Sequence, residues 1–272
     1  MVYFTLNLYF KILTSLKPKF RLMIDIKYKY GICDLSVVPV RKSPSSKSEL
    51  VTQLLFGELY TITKQTEKWS YIKIHDDSYG GWINYSQLKI ISKIDFDDLK
   101  IGRDKFSLNI TDFIIKGLEP TIVPLGSSIN SCQYLDYKFK GKTSEFIKDY
   151  DIIKIAMKFL NAPYLWGGKT PFGIDCSGFT QMVYKINNIR LDRDASQQAN
   201  QGTLISKKEI KSGDLAFFGE TENSITHVGI MLNKTKIIHA FGKVRIDNVN
   251  LIGILKSNEG EITHKLLFFK TY

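Results

Sequence analysis

Cysteine is scarce in this chain of 272 residues: there are three, Cys33, Cys132 and Cys176, and they lie far apart. An odd number of widely spaced cysteines argues against a disulfide framework and indicates a reducing compartment. The opening segment MVYFTLNLYF is apolar, but Lys11 interrupts it after ten residues. Ten residues are too few to span a bilayer. This opening shows neither a basic leading segment nor a small-residue cleavage site. We therefore expect a cytoplasmic protein without stable membrane insertion, with the periplasm as the alternative.

Acidic residues are outnumbered, and the 38 Lys and Arg against 27 Asp and Glu give a net charge of +11. Residues 1–30, which we predict to be an N-terminal extension, hold +5 of this charge. No basic cluster with interleaved aromatics and no nucleic-acid-binding motif follows, so we expect no nucleic-acid partner. Diffuse positive charge would equally suit an acidic, peptide-like substrate.

Short strand patterns separated by turn residues fill residues 31–92, from LSVVPV through LYTITKQ and WSYIKIH to WINYSQLKII. Five or six strands in about sixty residues predict a small β-barrel, with Trp69 and Trp82 in its core or at its rim. The segment LLFGE followed by YGGW resembles a bacterial SH3-like domain. For residues 93–143, the strand patterns TIVPLGSSI and YLDYKFKGK around a turn predict a second, degenerate domain of this type.

The pattern changes at residue 144. EFIKDYDIIKIAMKFLNAP and CSGFTQMVYKI carry apolar residues at helical spacing, and the strand patterns GDLAFFG, HVGIML, KIIHAF, KVRIDNV and HKLLFFK follow. Helices followed by an antiparallel sheet predict an α+β domain over residues 144–272.

Cys176 lies at the predicted start of the second helix, with Asp175 directly ahead. Unpaired backbone N–H groups and the helix dipole there favour a thiolate, so we expect a pKa below the usual value of about 8.5. A lone cysteine can equally be a buried structural residue. The choice depends on whether the chain supplies a base.

Four histidines are present, and His227 and His239 fall on neighbouring predicted strands. An even connection would turn His239 away from His227, whereas an odd connection or a β-bulge would pair His239 with Gly229 and align the two rings. We predict the second arrangement, with Cys176 attacking a carbonyl, His227 transferring the proton and His239 orienting His227. The Cys176 N–H and the Tyr164 hydroxyl would stabilise the oxyanion. A metal site is disfavoured, because these strands supply no carboxylate or second cysteine at ligand spacing.

Five segments in order, PYLWGGKTPFGIDCSGF, RDASQQANQG, SGDLAFFG, THVGIML and IIHAFGKVRID, resemble the NlpC-type cysteine peptidases of bacterial cell-wall peptides. The whole arrangement resembles γ-D-glutamyl-L-diamino-acid endopeptidases with N-terminal SH3-like domains, which are implicated in murein peptide recycling. The resemblance implies an α+β, papain-like catalytic domain behind one or two SH3-like barrels. It also implies hydrolysis of the γ-D-glutamyl-L-diamino acid amide in murein peptides with a free N-terminal L-Ala, through a thioester and without a cofactor or metal. We expect a monomer.

The same resemblance assigns site residues. The catalytic triad would be Cys176, His227 and His239, and the site would be lined by Tyr164, Trp166, Asp175, Ser177, Asp194, Tyr79 and Glu49. Asp194 would meet the substrate amine, although a helix N-cap is an equal interpretation. Tyr79 and an acidic residue of the SH3-like domain would also contact the substrate amine. Glu49 is the first choice for this acid and Glu58 the second. The alternative interpretation of Glu49 is a solvated charge in a loop. Phe241 stands where a small residue is common and would narrow the pocket.

Two alternatives remain open from the sequence. One is a hydrolase of the intact wall that uses the SH3-like part as an anchor. The other is a non-catalytic peptide-binding module with a vestigial thiol site, against which the complete Cys/His/His set argues. The preferred diamino acid does not follow from the sequence.

Overall fold

A computed structural model describes residues 29–101, 105–144, 152–256 and 260–272 of the chain. Most of the predicted N-terminal extension, including the segment 1–22, lies outside these residues. Tyr30, which the sequence placed at the end of that extension, is instead the first residue of a strand and pairs with Thr61 and Ile91.

The first sheet forms a small, strongly bent domain. Its strands are β1 (Tyr30–Ile32), β2 (Val37–Arg41), β3 (Leu50–Leu55), β4 (Leu59–Gln65), β5 (Trp69–Ile74), β6 (Gly80–Asn84) and β7 (Lys89–Ile91). Their order across the antiparallel sheet is β3-β2-β6-β5-β4-β1-β7. Inward residues such as Tyr60, Ile62 and Ile72 alternate with outward ones and form a separate core, as period-two patterning requires. Trp69 and Trp82 are partly buried and so lie at the rim.

The following segment contains α1 (Lys93–Ile101), β8 (Thr111–Lys116), β9 (Glu119–Pro124) and β10 (Lys138–Phe139). TIVPLGSSI holds the last four residues of β9 and YLDYKFKGK contains β10, but β8 lies between these strands in the order β10-β8-β9. The helix α1 and the strand β8 were not predicted. Ile114 and Val123 of this sheet share a core with Ile32 and Phe56 of the first domain. In the described residues the segment is therefore a three-stranded sheet packed on the first domain, and its identity as a second SH3-like domain stays a prediction.

The C-terminal part begins with helices and a short hairpin. Its elements up to the large sheet are α2 (Ile152–Lys158), β11 (Lys169–Thr170), β12 (Gly173–Ile174), α3 (Cys176–Ile186) and α4 (Ala195–Gln198). Ile155 and Ala156 on α2 are buried, and Phe159 just beyond its end packs edge-on against Phe179 of α3. All residues of α3 are buried. The helix that starts at Cys176 is therefore the centre of the C-terminal core.

The large sheet contains β13 (Thr203–Ile205), β14 (Leu215–Gly219), β15 (Ile225–Asn233), β16 (Lys236–Phe241), β17 (Lys243–Val249), β18 (Gly253–Leu255) and β19 (Ile262–Thr271). Its order is β13-β19-β14-β15-β16-β17-β18, and β18 also pairs with β19. The ten-residue strand β19 thus pairs with β14 through its second half and with β18 through its first half. This double pairing closes the sheet on itself. One face packs on α3, and the other encloses a small core of its own.

The register between β15 and β16 decides where the two histidines point. Ile230 pairs with Ile238 and Met231 with Ile237, and the register shifts between Met231 and Asn233. This irregularity is the predicted β-bulge, and continuing the pairing places His239 opposite Gly229, whose added Cβ would lie 2.8 Å from the Cβ of His239. His227 and His239 therefore share one face of the sheet, as predicted.

No helix of the described residues combines the length and the apolar composition needed to cross a bilayer.

Candidate active site

Cys176 is the first residue of α3, and Asp175 is its N-cap. The Asp175 carboxylate accepts a hydrogen bond from the Gly178 N–H at 2.7 Å, which satisfies one of the unpaired donors of the first turn. The residues predicted from the sequence thus start the helix where the spacing indicated. The thiol is only 7% exposed, but it lines a cavity.

Asp175 is held more firmly than a simple N-cap requires. Arg193, which is fully buried, donates to both carboxylate oxygens, with Nη1 3.0 Å from Oδ1 and Nη2 2.6 Å from Oδ2. The same guanidinium donates to the Ser177 hydroxyl at 2.9 Å and to the Thr52 hydroxyl of the first domain at 2.9 Å. This bidentate pair fixes the start of α3, and thereby the thiol, relative to the SH3-like domain. Arg193 directly precedes Asp194 in the chain, but its role was not predicted from the sequence.

The expected low pKa of the thiol is not what the structure supports. Burial raises the pKa of Cys176 to about 12, and the negative charge of Asp175 acts in the same direction. The backbone N–H groups of Val228 and Ser177 favour the thiolate but are outweighed. The sequence showed the helix start but not the depth of burial, which disfavours a charged sulfur. Burial therefore favours the neutral form of the thiol in the resting site.

His227 and His239 form a hydrogen-bonded pair. Nε2 of His227 lies 2.8 Å from Nδ1 of His239, and Nε2 of His239 lies 2.9 Å from Oδ2 of Asp247. Burial lowers the pKa of His227 well below its usual value, and the neighbouring His239 lowers it further. Val228, the residue after His227, directs its backbone N–H to the Cys176 sulfur, so the start of β15 lies against the thiol. The neutral imidazole is suited to accept a proton from it.

Two groups around this pair were missed from the sequence. His264 of β19 stacks on His227 with ring centroids 4.1 Å apart, and burial lowers its pKa to about 4. Asp247 of β17 is the partner of His239. Both come to the site through sheet closure and cross-strand register, which a single sequence specifies only weakly. The period-two pattern of KVRIDNV could have placed Arg245 and Asp247 on one face, but not beside His239.

A cavity of about 450 Å³ opens in front of the thiol, between the first domain and the catalytic part. Its lining contains, of the predicted residues, Glu49, Tyr79, Trp166, Asp175, Cys176, Ser177 and Asp194. Among the described residues that line it, none is a lysine or arginine. A protein with net charge +11 thus has an acid-lined cavity at its candidate nucleophile.

Tyr79 and Asp194 meet across the two domains. The Tyr79 hydroxyl lies 3.1 Å from each Asp194 oxygen, and burial raises the pKa of Asp194. Asp194 is also the N-cap of α4, since its own N–H donates to the Gln197 side chain. The N-cap interpretation is therefore confirmed, while contact between Asp194 and a substrate amine stays a prediction.

Glu49 lies at the same cavity, but both of its oxygens have partners. Oε1 accepts from Nε1 of Trp166 at 2.8 Å, and Oε2 accepts from Lys42 at 2.9 Å. The alternative choice, Glu58, is wrong: it is buried away from this cavity, between Lys169 and Lys185. Its carboxylate joins the first domain to the catalytic part through these two lysines.

Tyr164 and Phe241 lie differently from the other predicted residues. Tyr164 is half-buried and is not among the residues that line the cavity; burial raises the pKa of its hydroxyl to about 12, and an ionised Cys176 would act in the same direction. The prediction that Phe241 narrows the pocket is not supported, because Phe241 does not line the cavity at Cys176 and instead lines a different one.

Comparison with family models gives two matches. Residues 161–257 match the NlpC/P60 family, and residues 40–88 match the bacterial dipeptidyl-peptidase Sh3 domain. The first range contains Cys176, His227 and His239, and the second contains Tyr79. The expected α+β architecture, an SH3-like domain before a papain-like domain, is confirmed by these matches and by the structural similarity below.

Individual relatives agree with these matches. The chain is 29% identical over 215 residues to a gamma-D-glutamyl-L-lysine dipeptidyl-peptidase of Bacillus subtilis, covering 70% of this chain and 71% of that protein. It is 38% identical to a probable endopeptidase of Haemophilus influenzae, covering 41% of this chain and 72% of that one. The crystal structure of an NlpC/P60 family protein from Bacillus cereus superposes with a TM-score of 0.71, at 20% identity, over 89% of this chain and 99% of that one.

Proposed function

The chain belongs to the NlpC/P60 family of cysteine peptidases, and on that premise we propose that it hydrolyses the γ-D-glutamyl-L-diamino acid amide of murein stem peptides that have a free N-terminal L-Ala. The observation that carries this proposal is the shared cavity, which is lined by both Cys176 and the Tyr79–Asp194 pair, so that one bound peptide could contact both. The name of the Bacillus subtilis relative supports the bond type.

The proposed chemistry starts from a neutral Cys176 thiol and a neutral His227 imidazole. Because Nε2 of His227 is bound to His239, Nδ1 is the ring nitrogen left to accept the thiol proton. The sulfur then attacks the γ-carbonyl carbon, an S–C bond forms, and the carbonyl electrons move onto oxygen. When the C–N bond breaks, His227 returns the proton to the departing amine and a thioester remains. Water, deprotonated by His227, hydrolyses the thioester and restores the thiol.

The oxyanion would be stabilised at the start of α3. The Cys176 N–H belongs to the first turn, where backbone donors lack helical partners, and it is a candidate donor to the developing charge. The Tyr164 hydroxyl, electrostatically coupled to the sulfur, is the second candidate. Removing one such donor from an acyl-transfer site costs about 10²–10³ in kcat.

The substrate amine would bind at Asp194. An ammonium that enters an acid-lined cavity needs a carboxylate partner, and a half-buried Asp194 that accepts from Tyr79 supplies one. Glu49 already binds Trp166 and Lys42, so we assign it to the cavity wall rather than to direct contact with the amine. An N-blocked peptide would leave the Asp194 charge without its partner, which is costly in a desolvated site.

We expect wild-type enzyme to release L-Ala-D-Glu from L-Ala-γ-D-Glu-L-Lys and to cleave its N-acetylated form at least tenfold more slowly. Asp194→Asn should lower kcat/KM for the free peptide about 10- to 100-fold, because a charged hydrogen bond contributes about 1.5–3 kcal/mol. Liquid chromatography with mass spectrometry measures both products.

Tyr79→Phe is the matched control for Asp194→Asn, since it removes one neutral donor and keeps the carboxylate; we expect a loss of about fivefold. Equal cleavage of free and blocked peptides by the wild type would contradict the amine-binding role of Asp194.

The amine contact also predicts a pH dependence of kcat/KM for the free peptide. Binding requires an ionised Asp194 and a protonated substrate amine, whose pKa is about 8. Because burial raises the pKa of Asp194, the acid limb should lie above that of an ordinary aspartate. In Asp194→Asn this contribution to the acid limb should disappear, whereas an unchanged limb would assign it to another group.

A further inference from the structure

The hydrogen-bonded series behind the thiol does not end at His239. Asp247 on β17 accepts from His239 on β16, which in turn contacts His227 on β15, so three adjacent strands each supply one group. His239 is directly opposite Arg245, and Asp247 is the diagonal neighbour two residues on. Diagonal cross-strand pairs on one face are within reach of each other's longer side chains.

The neighbours of Asp247 stabilise its negative charge. Arg245 places Nη2 2.8 Å from Oδ1 and Nε 2.7 Å from Oδ2 of Asp247, and the carboxylate is 7% exposed. Although burial opposes it, hydrogen bonds from His239 and Arg245 lower the pKa of Asp247. An ionised carboxylate can only accept hydrogen bonds, so His239 must donate from Nε2.

The direction of every proton in the series follows from that one acceptor. A neutral His239 that donates from Nε2 has a lone pair on Nδ1, so it must accept from Nε2 of His227. A neutral His227 with its proton on Nε2 then has its lone pair on Nδ1. That nitrogen is the one that the proposed mechanism requires as the base.

We propose that Asp247 is a positioning residue that sets the tautomers of both histidines, and so leaves Nδ1 of His227 free to accept the Cys176 proton. This inference rests on the proposed function for its kinetic consequences, but the tautomers themselves are properties of the resting protein. Asp247 acts through two rings and does not touch the substrate.

Other charged or titratable groups surround Asp247 as well. A second cavity, of about 280 Å³, lies behind the series and is lined by Phe241, Arg245, Asp247, Lys256, Glu261 and Thr263. His264 of β19 packs edge-on against His239, with ring centroids 5.9 Å apart. Of these groups, Arg245 is the one that forms an ion pair with the Asp247 carboxylate at hydrogen-bond distance, so it is the neighbour that most directly keeps the acceptor charged.

If Asp247 sets the tautomers, Asp247→Asn should lower kcat more than Asp247→Ala does. In Asp247→Asn the amide can donate to Nε2 of His239, which would reverse the series and place a proton on Nδ1 of His227. Asp247→Ala removes the acceptor but offers no competing donor. We therefore expect the isosteric asparagine variant to lose about 100-fold in kcat with KM nearly unchanged, and the alanine variant to lose less. A merely structural role would give the opposite ranking.

The test combines steady-state kinetics of these two variants with ¹⁵N NMR of the histidine side chains in the full chain. We expect protons on Nε2 of His227 and His239 in the wild type and on Nδ1 of His239 in Asp247→Asn. The exposed Asp136→Asn is the charge-matched control and should leave kcat unchanged. A wild-type Nδ1 proton on either ring, or an alanine variant worse than the asparagine variant, would overturn the proposal.

The NMR result is independent of the choice of substrate. Expected tautomers without peptide turnover would contradict the proposed function and leave the role of Asp247 intact. Turnover with the opposite tautomers would contradict the role of Asp247 and leave the proposed function intact.

Discussion

Cys176→Ala is expected to abolish peptide release, with kcat reduced by roughly 10⁶-fold, the effect of removing the nucleophile from a catalytic triad. Tyr79 and Asp194, the proposed amine-binding pair, keep their contact with each other in this variant, because neither bonds to the sulfur. The peptide should therefore still bind. Calorimetry with the alanine variant and L-Ala-γ-D-Glu-L-Lys measures the dissociation constant separately from turnover.

The matched control is Cys132→Ala. Cys132 is buried in the core shared by the first domain and the following sheet, and its thiol pKa is raised to about 11 by burial. Its removal should cost some stability and leave kcat unchanged. Retained turnover in Cys176→Ala would contradict the assignment of Cys176 as the nucleophile. Loss of both turnover and binding would show that the substitution had disturbed the cavity.

Glu58→Gln should be the most destabilising of the substitutions considered, by about 3–5 kcal/mol. Glu58 is 3% exposed in the turn between β3 and β4, and its Oε1 lies 3.0 Å from Nζ of Lys169 and 2.5 Å from Nζ of Lys185. Both lysines belong to the catalytic part. Glutamine would keep the shape but remove the charge that compensates them, and breaking a buried ion pair from one side is costly.

The pH dependence of this effect has a definite sign. Although burial alone would raise the pKa of Glu58, Lys169 and Lys185 lower it to about 2, below the value of 4.5 expected in the unfolded chain. A carboxylate with a lowered folded-state pKa stabilises the fold above pH 4.5 and loses that contribution as the pH falls towards 2. The difference between wild type and Glu58→Gln should therefore be full near neutrality and shrink in acid.

Chemical denaturation at several pH values measures this difference. Glu67→Gln is the matched control, since Glu67 is exposed in the turn between β4 and β5, and it should change the free energy of unfolding little. A Glu58→Gln protein as stable as wild type at neutral pH would contradict the view that this carboxylate holds the two domains together.

Local sequence signals predicted those parts of the site that depend on one element. The start of the helix at Cys176, with Asp175 directly ahead, follows from spacing alone. The strand alternation of HVGIML placed His227 on the other face of the strand from Val228 and Ile230. The β-bulge followed from the requirement that two rings share a face. Such inferences succeed because a strand turns every second side chain to the same side.

Long-range features did not follow from the sequence. Arg193 reaches Asp175 and Thr52 at once, a contact that depends on how two domains dock. His264 stacks on His227 only because β19 closes the sheet, and the raised pKa of Cys176 reflects burial rather than helix position. The choice between Glu49 and Glu58 also depended on docking, because it is the packing against Lys169 and Lys185 of the catalytic part that takes Glu58 away from the cavity.

The most direct test of the account is covalent labelling by a diazomethyl ketone in which L-Ala-γ-D-Glu carries the reactive group at the γ-carbonyl. The Cys176 sulfur should attack the methylene carbon, with loss of nitrogen and uptake of the His227 proton, and peptide mapping by mass spectrometry locates the adduct. We predict one adduct, on Cys176, that forms far more slowly in His227→Ala. Labelling of Cys33 or Cys132 instead, or equal labelling without the imidazole, would contradict a thiol–histidine peptidase.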